Sequence, residues 1–146
     1  MQYLWFEKKL YSRLMDFLRE YIGDLFYIKV TTNKATFWEA DSMQNILQKE
    51  FALGYRKIIV DLSKCRTIDP PFIGAIILSY KKLLNIGGTL KVIKPENIPN
   101  QRDDVLSSLK LFELFESKVE AIESFKTIFV APVEEMFYPR LSTANS

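Results

Sequence analysis

The spacing of apolar and polar positions changes along the chain, and each spacing indicates a different element of secondary structure. Residues 58–61 begin with a short β-branched run, as in buried strands. Between Phe72 and Leu84 apolar residues recur every three or four positions, which is typical of a helix with one buried face. Residues 90–93 return to a strand-like run. This order predicts two parallel strands joined by a helix in a right-handed crossover.

The ends of the central helix carry residues that start and stop helices. Asp69 is a favourable N-cap residue, and Pro70 and Pro71 fit the first turn, where an N–H group is not needed. Gly87 and Gly88 follow the last apolar residues, where glycine accepts the left-handed conformation of a C-terminal cap. The helix is therefore predicted between the proline pair and the glycine pair.

The segment before the first predicted strand has a helical pattern. Residues 7–22 carry apolar side chains every three or four positions, with charged residues between them and Gly23 after them. We expect this amphipathic helix to pack on its own domain or on a second copy, which allows a homodimer. A membrane-surface helix is the alternative, and the mixed charges of the polar face disfavour it.

Other elements are predicted on both sides of the central unit. In chain order they are a strand at residues 25–31, a loop at 32–36, a helix at 37–51, a loop at 95–101, and helices at 103–111 and 117–125. Ser117 and Glu120 have the spacing of a capping box at the start of the last helix.

Composition limits the classes of function. The 146 residues suit one domain, and a net charge of +2 with scattered Lys and Arg gives no reason to expect a nucleic-acid partner. No run approaches the roughly 18 apolar residues of a membrane span, and no signal peptide is recognisable. A single cysteine suits a reducing compartment, so the cytoplasm is expected.

Residues for catalysis or metal binding are scarce. The chain has no histidine, which excludes Ser-His and Cys-His pairs and histidine metal sites. Cys65 lies between Lys64 and Arg66, whose charges can lower a thiol pKa, but a half-buried structural thiol is the favoured interpretation. We therefore expect no enzymatic activity, no catalytic residues, no cofactor and no metal.

Three short motifs follow one another in the central unit. They are D-L-S at residues 61–63, I-D-P-P-F-I-G at 68–74 and G-G-T-L-K-V at 87–92. Their order and spacing resemble those of the STAS domains, the bacterial anti-sigma factor antagonists and their relatives. The resemblance implies an α/β, STAS-like fold, a small mixed β-sheet with helices mainly on one face. It divides the chain into an N-terminal helical extension at 1–24, a STAS-like domain at 25–126, and a C-terminal extension and tail at 127–146.

The chain departs from the family at the position that controls partner binding. In the antagonists, the residue after the motif aspartate is a serine or threonine that the partner kinase phosphorylates. This chain has Pro70 there, which has no hydroxyl. The family's G-x-L/I-D near residues 32–36 is also missing, since this stretch lacks both the glycine and the aspartate.

The resemblance implies a non-enzymatic, protein-binding signalling module that lacks the usual phosphorylation site. Its partner would be an anti-sigma-type kinase or a sigma-regulatory complex. The alternative function is the binding of a small apolar ligand or lipid. The residues predicted to contact the partner are Asn33 and Lys34 in one loop, and Thr67, Asp69, Pro70, Pro71 and Phe72 in another.

Two of these residues have a second interpretation. Asp69 can be a helix N-cap without any contact to a partner. Phe72 can either point inward from a rigid helix start or form an exposed apolar contact that is already ordered before binding.

Overall fold

A five-stranded mixed β-sheet organises the computed structural model, which describes residues 16–96 and 101–126. The strands are β1 (Phe17–Ile22), β2 (Leu25–Val30), β3 (Lys34–Ala35), β4 (Lys57–Asp61), β5 (Thr67–Ile68), β6 (Thr89–Ile93) and β7 (Glu113–Phe115). The helices are α1 (Phe37–Ala52), α2 (Pro70–Asn85), α3 (Asp103–Leu109) and the helical residues 118–126, called α4. The sheet order is β1-β2-β4-β6-β7, and β3 and β5 form a separate pair.

The predicted strand–helix–strand unit is confirmed. β4 and β6 are adjacent and parallel, with Ile58 opposite Leu90 and Val60 opposite Val92. α2 joins them as one unbroken helix. Parallel strands between two covered faces are apolar on both sides, which is why Ile58, Ile59 and Val60 of β4 form a continuous apolar run. In β6 the buried Lys91 interrupts the run.

Helices cover the two faces of the sheet unequally, as the STAS-like fold predicts. α1, α2 and α3 pack on one face, where Phe26, Val60 and Val92 lie in the larger apolar core. α4 packs on the other face, where Ala121 and Phe125 join a smaller cluster around the sheet residues Leu25, Tyr27, Ile59 and Ile93.

Lys91 connects α4 to the sheet. Its side chain is only 1% exposed, and its Nζ donates a hydrogen bond to Ser124 Oγ at 2.8 Å. The same Nζ lies 3.4 Å from a carboxylate oxygen of Glu113 and 4.3 Å from the ring centroid of Phe125. A buried charge is tolerated only when it is paired and hydrogen-bonded, so these contacts favour the position of α4 on the sheet.

The helix predicted at residues 7–22 is wrong for its last part, because Phe17–Ile22 is the edge strand β1. Ile22 pairs with Leu25 across a two-residue hairpin turn, in which Gly23 has φ 60°. A glycine at the first position of such a turn is a favoured hairpin connection. The apolar residues of this segment fit both spacings, and pairing with β2 decides in favour of the strand.

The proposed domain boundaries change accordingly. The boundary after residue 24 does not hold, because β1 belongs to the same sheet as the rest of the domain. The rest of the predicted N-terminal helix and the C-terminal extension at 127–146 lie outside the described residues. A homodimer through the N-terminal segment therefore stays a prediction.

The remaining helices lie close to their predicted positions. α1 begins after Thr36, whose side chain and that of Glu39 form a capping box. Ser117 Oγ accepts the Glu120 N–H at 3.2 Å, as predicted. The carboxylate of Glu120 accepts from the N–H of Glu116 and not from that of Ser117. The loop predicted at 32–36 contains the short strand β3, which sequence reasoning missed.

The glycine pair closes α2 by hydrogen bonding and by close packing. Gly88 N–H donates to Leu83 O at 2.9 Å and Gly87 N–H to Leu84 O at 3.1 Å, the paired bonds of a Schellman motif. Gly87 has φ 84°, as this motif requires. Gly88 lies so close to α2 and to β4 that a Cβ would be 2.6 Å from Arg56 O. Only glycine fits there without displacement of the backbone.

We expect Gly88→Ala to destabilise the protein by about 1–3 kcal/mol, the usual cost of overpacking a close contact. The added methyl would lie 2.4 Å from Leu83 Cδ1 and 2.6 Å from Arg56 O. Urea unfolding followed by circular dichroism measures the change.

Gly74→Ala is the matched control. Its added Cβ would meet no atom within 4 Å, so better helix propensity should stabilise the protein by about 0.5–1 kcal/mol. Equal effects of the two substitutions would contradict the close approach at Gly88.

Candidate functional site

Two loops meet beyond the carboxyl ends of β2 and β4. β3 and β5 pair in parallel, with Lys34 opposite Thr67. The N–H groups of Arg66 and Thr67 both donate to Asn33 O, at 2.7 and 3.1 Å, and Asp69 N–H donates to Ala35 O at 2.8 Å. We call residues 31–36 and 66–71 the paired loops. The carboxyl end of a parallel sheet is the usual place for a binding site in α/β folds.

The paired loops bring the predicted partner-binding residues together, with one exception. Asn33, Lys34, Thr67 and Pro71 are exposed, and Asp69 and Pro70 are half-buried. Phe72 is 0% exposed and belongs to the larger core. The prediction of Phe72 as a partner contact is therefore wrong, and its inward orientation from a rigid helix start is confirmed.

Asp69 occupies the N-cap position of α2 without capping it through its side chain. Its backbone is extended, with φ −83° and ψ 148°, and its carboxylate makes no capping hydrogen bond. An N-cap side chain bonds the N–H of the second or third helical residue. Pro71 has no such group, and Phe72 N–H instead donates to Asp69 O at 3.0 Å.

The proline pair also changes what the start of α2 can bind. Helix N-termini hold phosphate through unpaired N–H groups. Pro70 and Pro71 are the first two residues of α2 and have none. The carboxylate of Asp69, directly before the prolines, suits the positive end of the helix dipole.

Gln101 holds the second loop in place, although it lies far away in sequence. It is buried, and its Nε2 donates to Arg66 O at 2.7 Å while its Oε1 accepts from Ile68 N–H at 3.2 Å. The side-chain amide therefore pairs with the loop backbone as a neighbouring strand would. Sequence reasoning missed this residue, because a glutamine in a predicted loop carries no signal of burial.

The aspartate of the D-L-S motif stabilises the turn after β4. Asp61 Oδ2 accepts the Tyr27 hydroxyl at 2.5 Å, and its Oδ1 accepts Ser63 N–H at 2.9 Å. Burial, followed by the bond to Asp61, raises the pKa of Tyr27 well above its usual range. This pair supports the chain where it enters the second loop.

A groove between α1 and α2 continues from the paired loops. It encloses about 540 Å³ and is lined by Phe37, Ala40, Asp41, Gln44, Pro71, Gly74, Ala75, Ile77 and Leu78. Phe37 and Leu78 are each 52% exposed, and the Phe37 ring centroid lies 4.6 Å from that of Trp38. Sequence reasoning missed this exposed patch, although two adjacent aromatic residues at the start of a predicted helix could have indicated it. Pro71 belongs to both the groove and the paired loops.

Cys65 is unsuited to reaction. The residue is buried, and desolvation, followed by the charges of Asp61 and Glu39, raises the pKa of its thiol to about 12. Its neighbours Lys64 and Arg66 are exposed and do not offset this. The interpretation of Cys65 as a reactive thiol is wrong, and a structural role agrees with its burial.

Among residues 16–96 and 101–126, no group of three or more His, Cys, Asp or Glu side chains is arranged to hold a metal ion. None of the helices in the described ranges is long and apolar enough to cross a membrane.

Known proteins match this chain in three-dimensional structure but not by family model or by sequence. No protein-family model and no curated protein matches the chain. A provisionally assigned anti-sigma factor antagonist from Thermotoga maritima is 24% identical, with a TM-score of 0.61 over 77% of this chain and 95% of its own. An anti-sigma factor antagonist from Mycobacterium paratuberculosis is 16% identical, with a TM-score of 0.59 over 74% of this chain and 91% of its own.

A third neighbour is SpoIIAA, solved in two states. The phosphorylated form from Bacillus is 14% identical, with a TM-score of 0.60 over 75% of this chain and 98% of its own. The unphosphorylated form has a TM-score of 0.60 at 11% identity, over 78% of this chain and 98% of its own. At such low identity the likeness establishes the fold: this chain has the STAS fold of the anti-sigma factor antagonists. The fold predicted from the three motifs is confirmed.

We expect the Cys65 thiol to be nearly inert toward Ellman's reagent at pH 8 in the native protein. A pKa of about 12 lowers the thiolate population on the order of 10³-fold relative to an ordinary cysteine. The rate should increase as the pH approaches 12, because the thiolate then forms. The stability that the protonated thiol provides is complete below the unfolded pKa and is lost as the pH rises through the folded one.

The matched control is Cys65→Ser combined with Lys64→Cys, which moves the thiol by one residue to an exposed position. That variant should react at an ordinary rate at pH 8, as should wild type in guanidinium chloride. Native Cys65 reacting as fast as the moved thiol would contradict its burial.

Proposed function

We propose that this chain is a non-enzymatic, protein-binding signalling module that contacts its partner through the paired loops without control by phosphorylation there. The observation that carries the proposal is Pro70, which stands at the first position of α2 with Pro71 behind it. Neither residue has a hydroxyl to accept phosphate or an N–H to hold one. The position that the partner kinase phosphorylates in the antagonists therefore cannot accept a phosphate here.

The surface suits a protein partner because it is exposed, mixed in chemistry and rigid. Asn33 and Thr67 offer hydrogen-bonding groups, Lys34 offers a cation, and Pro71 offers an apolar contact. The backbone bonds from Arg66 and Thr67 to Asn33 O hold the two loops together. A surface that is already ordered loses little conformational entropy on binding.

The proposed partner is an anti-sigma-type kinase or a sigma-regulatory complex. The solved neighbours are named as anti-sigma factor antagonists, and SpoIIAA exists in phosphorylated and unphosphorylated forms. In a protein switched in this way, a phosphate adds roughly −1.5 to −2 charges and changes partner binding. Pro70 removes that step here, so the complex would form constitutively, in the cytoplasm as its expected compartment.

The groove between α1 and α2 favours a second candidate function, the binding of a small apolar ligand or lipid. Its volume of about 540 Å³ lies within the range of ligand pockets. Asp41 and Gln44 are the charged and amide side chains among its mainly apolar lining. Mass spectrometry of compounds released from the purified protein would identify such a ligand.

We expect wild-type protein to acquire no phosphate on residues 67–72 when incubated with ATP and the anti-sigma-type kinase of its source cells. Thr67 is the single hydroxyl in that stretch, and it lies on β5, before the start of α2. Partner binding, measured by isothermal titration, should be the same with and without ATP. Pro70→Ser with Pro71→Ser should restore phosphorylation and make binding sensitive to ATP, at a stability loss of about 1 kcal/mol.

Three controls separate the possible outcomes. Thr67→Val tests whether a phosphate has moved to Thr67, and stoichiometric labelling there in wild type would overturn the loss of the switch. Lys34→Glu should weaken partner binding, whereas Lys81→Glu, on an exposed part of α2 outside the paired loops, should not. If only the serine variant binds the kinase, the paired loops do not form a partner surface in the native chain.

A further inference from the structure

Gly74, the last residue of the I-D-P-P-F-I-G motif, lines the groove, and packing within the described residues does not require a glycine there. It lies in the interior of α2, where glycine is less favourable than alanine. Its backbone is not in the left-handed region, and an added Cβ would meet no atom within 4 Å. Glycine is thus not needed for a turn or for close packing within the described residues. Its effect is to keep one side of the groove at the level of the helix backbone.

The groove also exposes more apolar surface than single scattered residues would. Phe37 on α1 and Leu78 on α2 are both half-exposed, and both line it. The groove is therefore an exposed apolar surface beside a glycine that the helix conformation does not require. We infer that another segment covers this surface.

The N-terminal segment, residues 1–15, enters the fold at the correct end to reach this groove. Asp16 O accepts Thr31 N–H at 2.8 Å, at the carboxyl end of β2 beside the paired loops. Phe37 follows Thr31 by six residues and so lies at most about 20 Å away. A chain of 15 residues spans up to about 50 Å, which is ample.

The chemistry of the segment matches that of the groove. Nine of its 15 residues are apolar: Met1, Tyr3, Leu4, Trp5, Phe6, Leu10, Tyr11, Leu14 and Met15. Its charged side chains are Lys8, Lys9 and Arg13 against Glu7, a net +2 from three positive and one negative. The charged residue lining the groove is Asp41, which has the opposite sign.

The C-terminal segment, residues 127–146, is a less suitable occupant. It follows α4, which packs on the opposite face of the sheet from α1 and α2. Its side chains Glu134 and Glu135 against Arg140 give a net charge of −1, the same sign as Asp41.

We propose that residues 1–15 dock into the groove between α1 and α2 of their own chain. The apolar side chains of the segment cover Phe37 and Leu78, and its cations lie near Asp41. The docking does not depend on the proposed function, although the docked segment would lie against Pro71 and so at the edge of the paired loops.

Paramagnetic relaxation tests the docking on the full chain. A nitroxide attached to Ser12→Cys should broaden the methyl signals of Ala40, Ala75 and Leu78, which line the groove. The methyl signals of Val119 and Ala121 on α4 should keep their intensity after the same labelling. Wild type treated with the same reagent checks that the buried Cys65 takes up no label. Unchanged groove signals, or broadening on α4 alone, would overturn the proposal.

Two substitutions in the groove test its specificity. Gly74→Leu fills the groove and should restore the methyl intensities, whereas the matched control Lys82→Leu, exposed on α2 outside the groove, should not. Asp41→Lys, which reverses the charge of an exposed groove residue, should also weaken the broadening. Broadening that persists in both Gly74→Leu and Asp41→Lys would place the segment elsewhere.

A mixed sample distinguishes a chain's own segment from that of a second copy. Spin-labelled protein of natural isotope abundance is mixed with isotope-labelled protein that carries no spin label. The groove methyls of the isotope-labelled protein should keep their intensity. Loss of intensity in the mixture would show that the segment docks onto another copy, which overturns the intramolecular form of the proposal.

Discussion

Gly88 lies where the end of α2 meets the start of β4, and its contact with Arg56 O fixes the helix against that end of the sheet. α2 has 16 residues and is about 24 Å long, whereas the five residues of β4 span about 17 Å. Because the two elements are held together at the amino end of β4, the excess length of the helix extends beyond the carboxyl end. The start of α2, with Asp69 and the proline pair, therefore projects past the sheet, where β3 and β5 join the two loops.

The periodic parts of the sequence predicted the fold correctly because they allow few arrangements. The apolar runs of β4 and β6 and the helical spacing of α2 each have one structural solution when a βαβ unit must bury them. The sequence of β1 does not have a single structural solution, since Phe17 and Tyr21 fit a helical stripe and one face of a strand equally well. β1 forms because it pairs with β2, and the spacing of apolar residues within β1 gives no information about that partner strand.

The candidate site was predicted less completely, for a related reason. Sequence reasoning placed Asn33 and Thr67 in loops, but the β3–β5 pairing that joins them involves two residues on each side. Gln101 supports the second loop from 33 residues beyond Ile68. Neither the β3–β5 pairing nor the hydrogen bonds of Gln101 produce a repeating pattern of apolar residues in the sequence. The direction of Phe72 also depended on packing, because an apolar residue in the first turn of a helix can face either way until the core is known.

Three polar groups contribute to the structure, and one of them, Cys65, is the thiol that the sequence offered as a possible reactive group. Asp61 joins Tyr27 to the turn after β4, Lys91 connects α4 to the sheet, and Cys65 is buried as a thiol. What remains at the carboxyl end of the sheet is a rigid surface. Proline fixes φ near −65° and reduces the freedom of the unfolded chain, so Pro70 and Pro71 favour one conformation at the start of α2. A change of conformation within the loop would have to occur against this restriction of φ, which makes control by a rearranged loop unfavourable. The surface can still be controlled by a segment or molecule that covers it. Pro71 belongs to both the paired loops and the groove, so a molecule bound in the groove would affect binding at the paired loops.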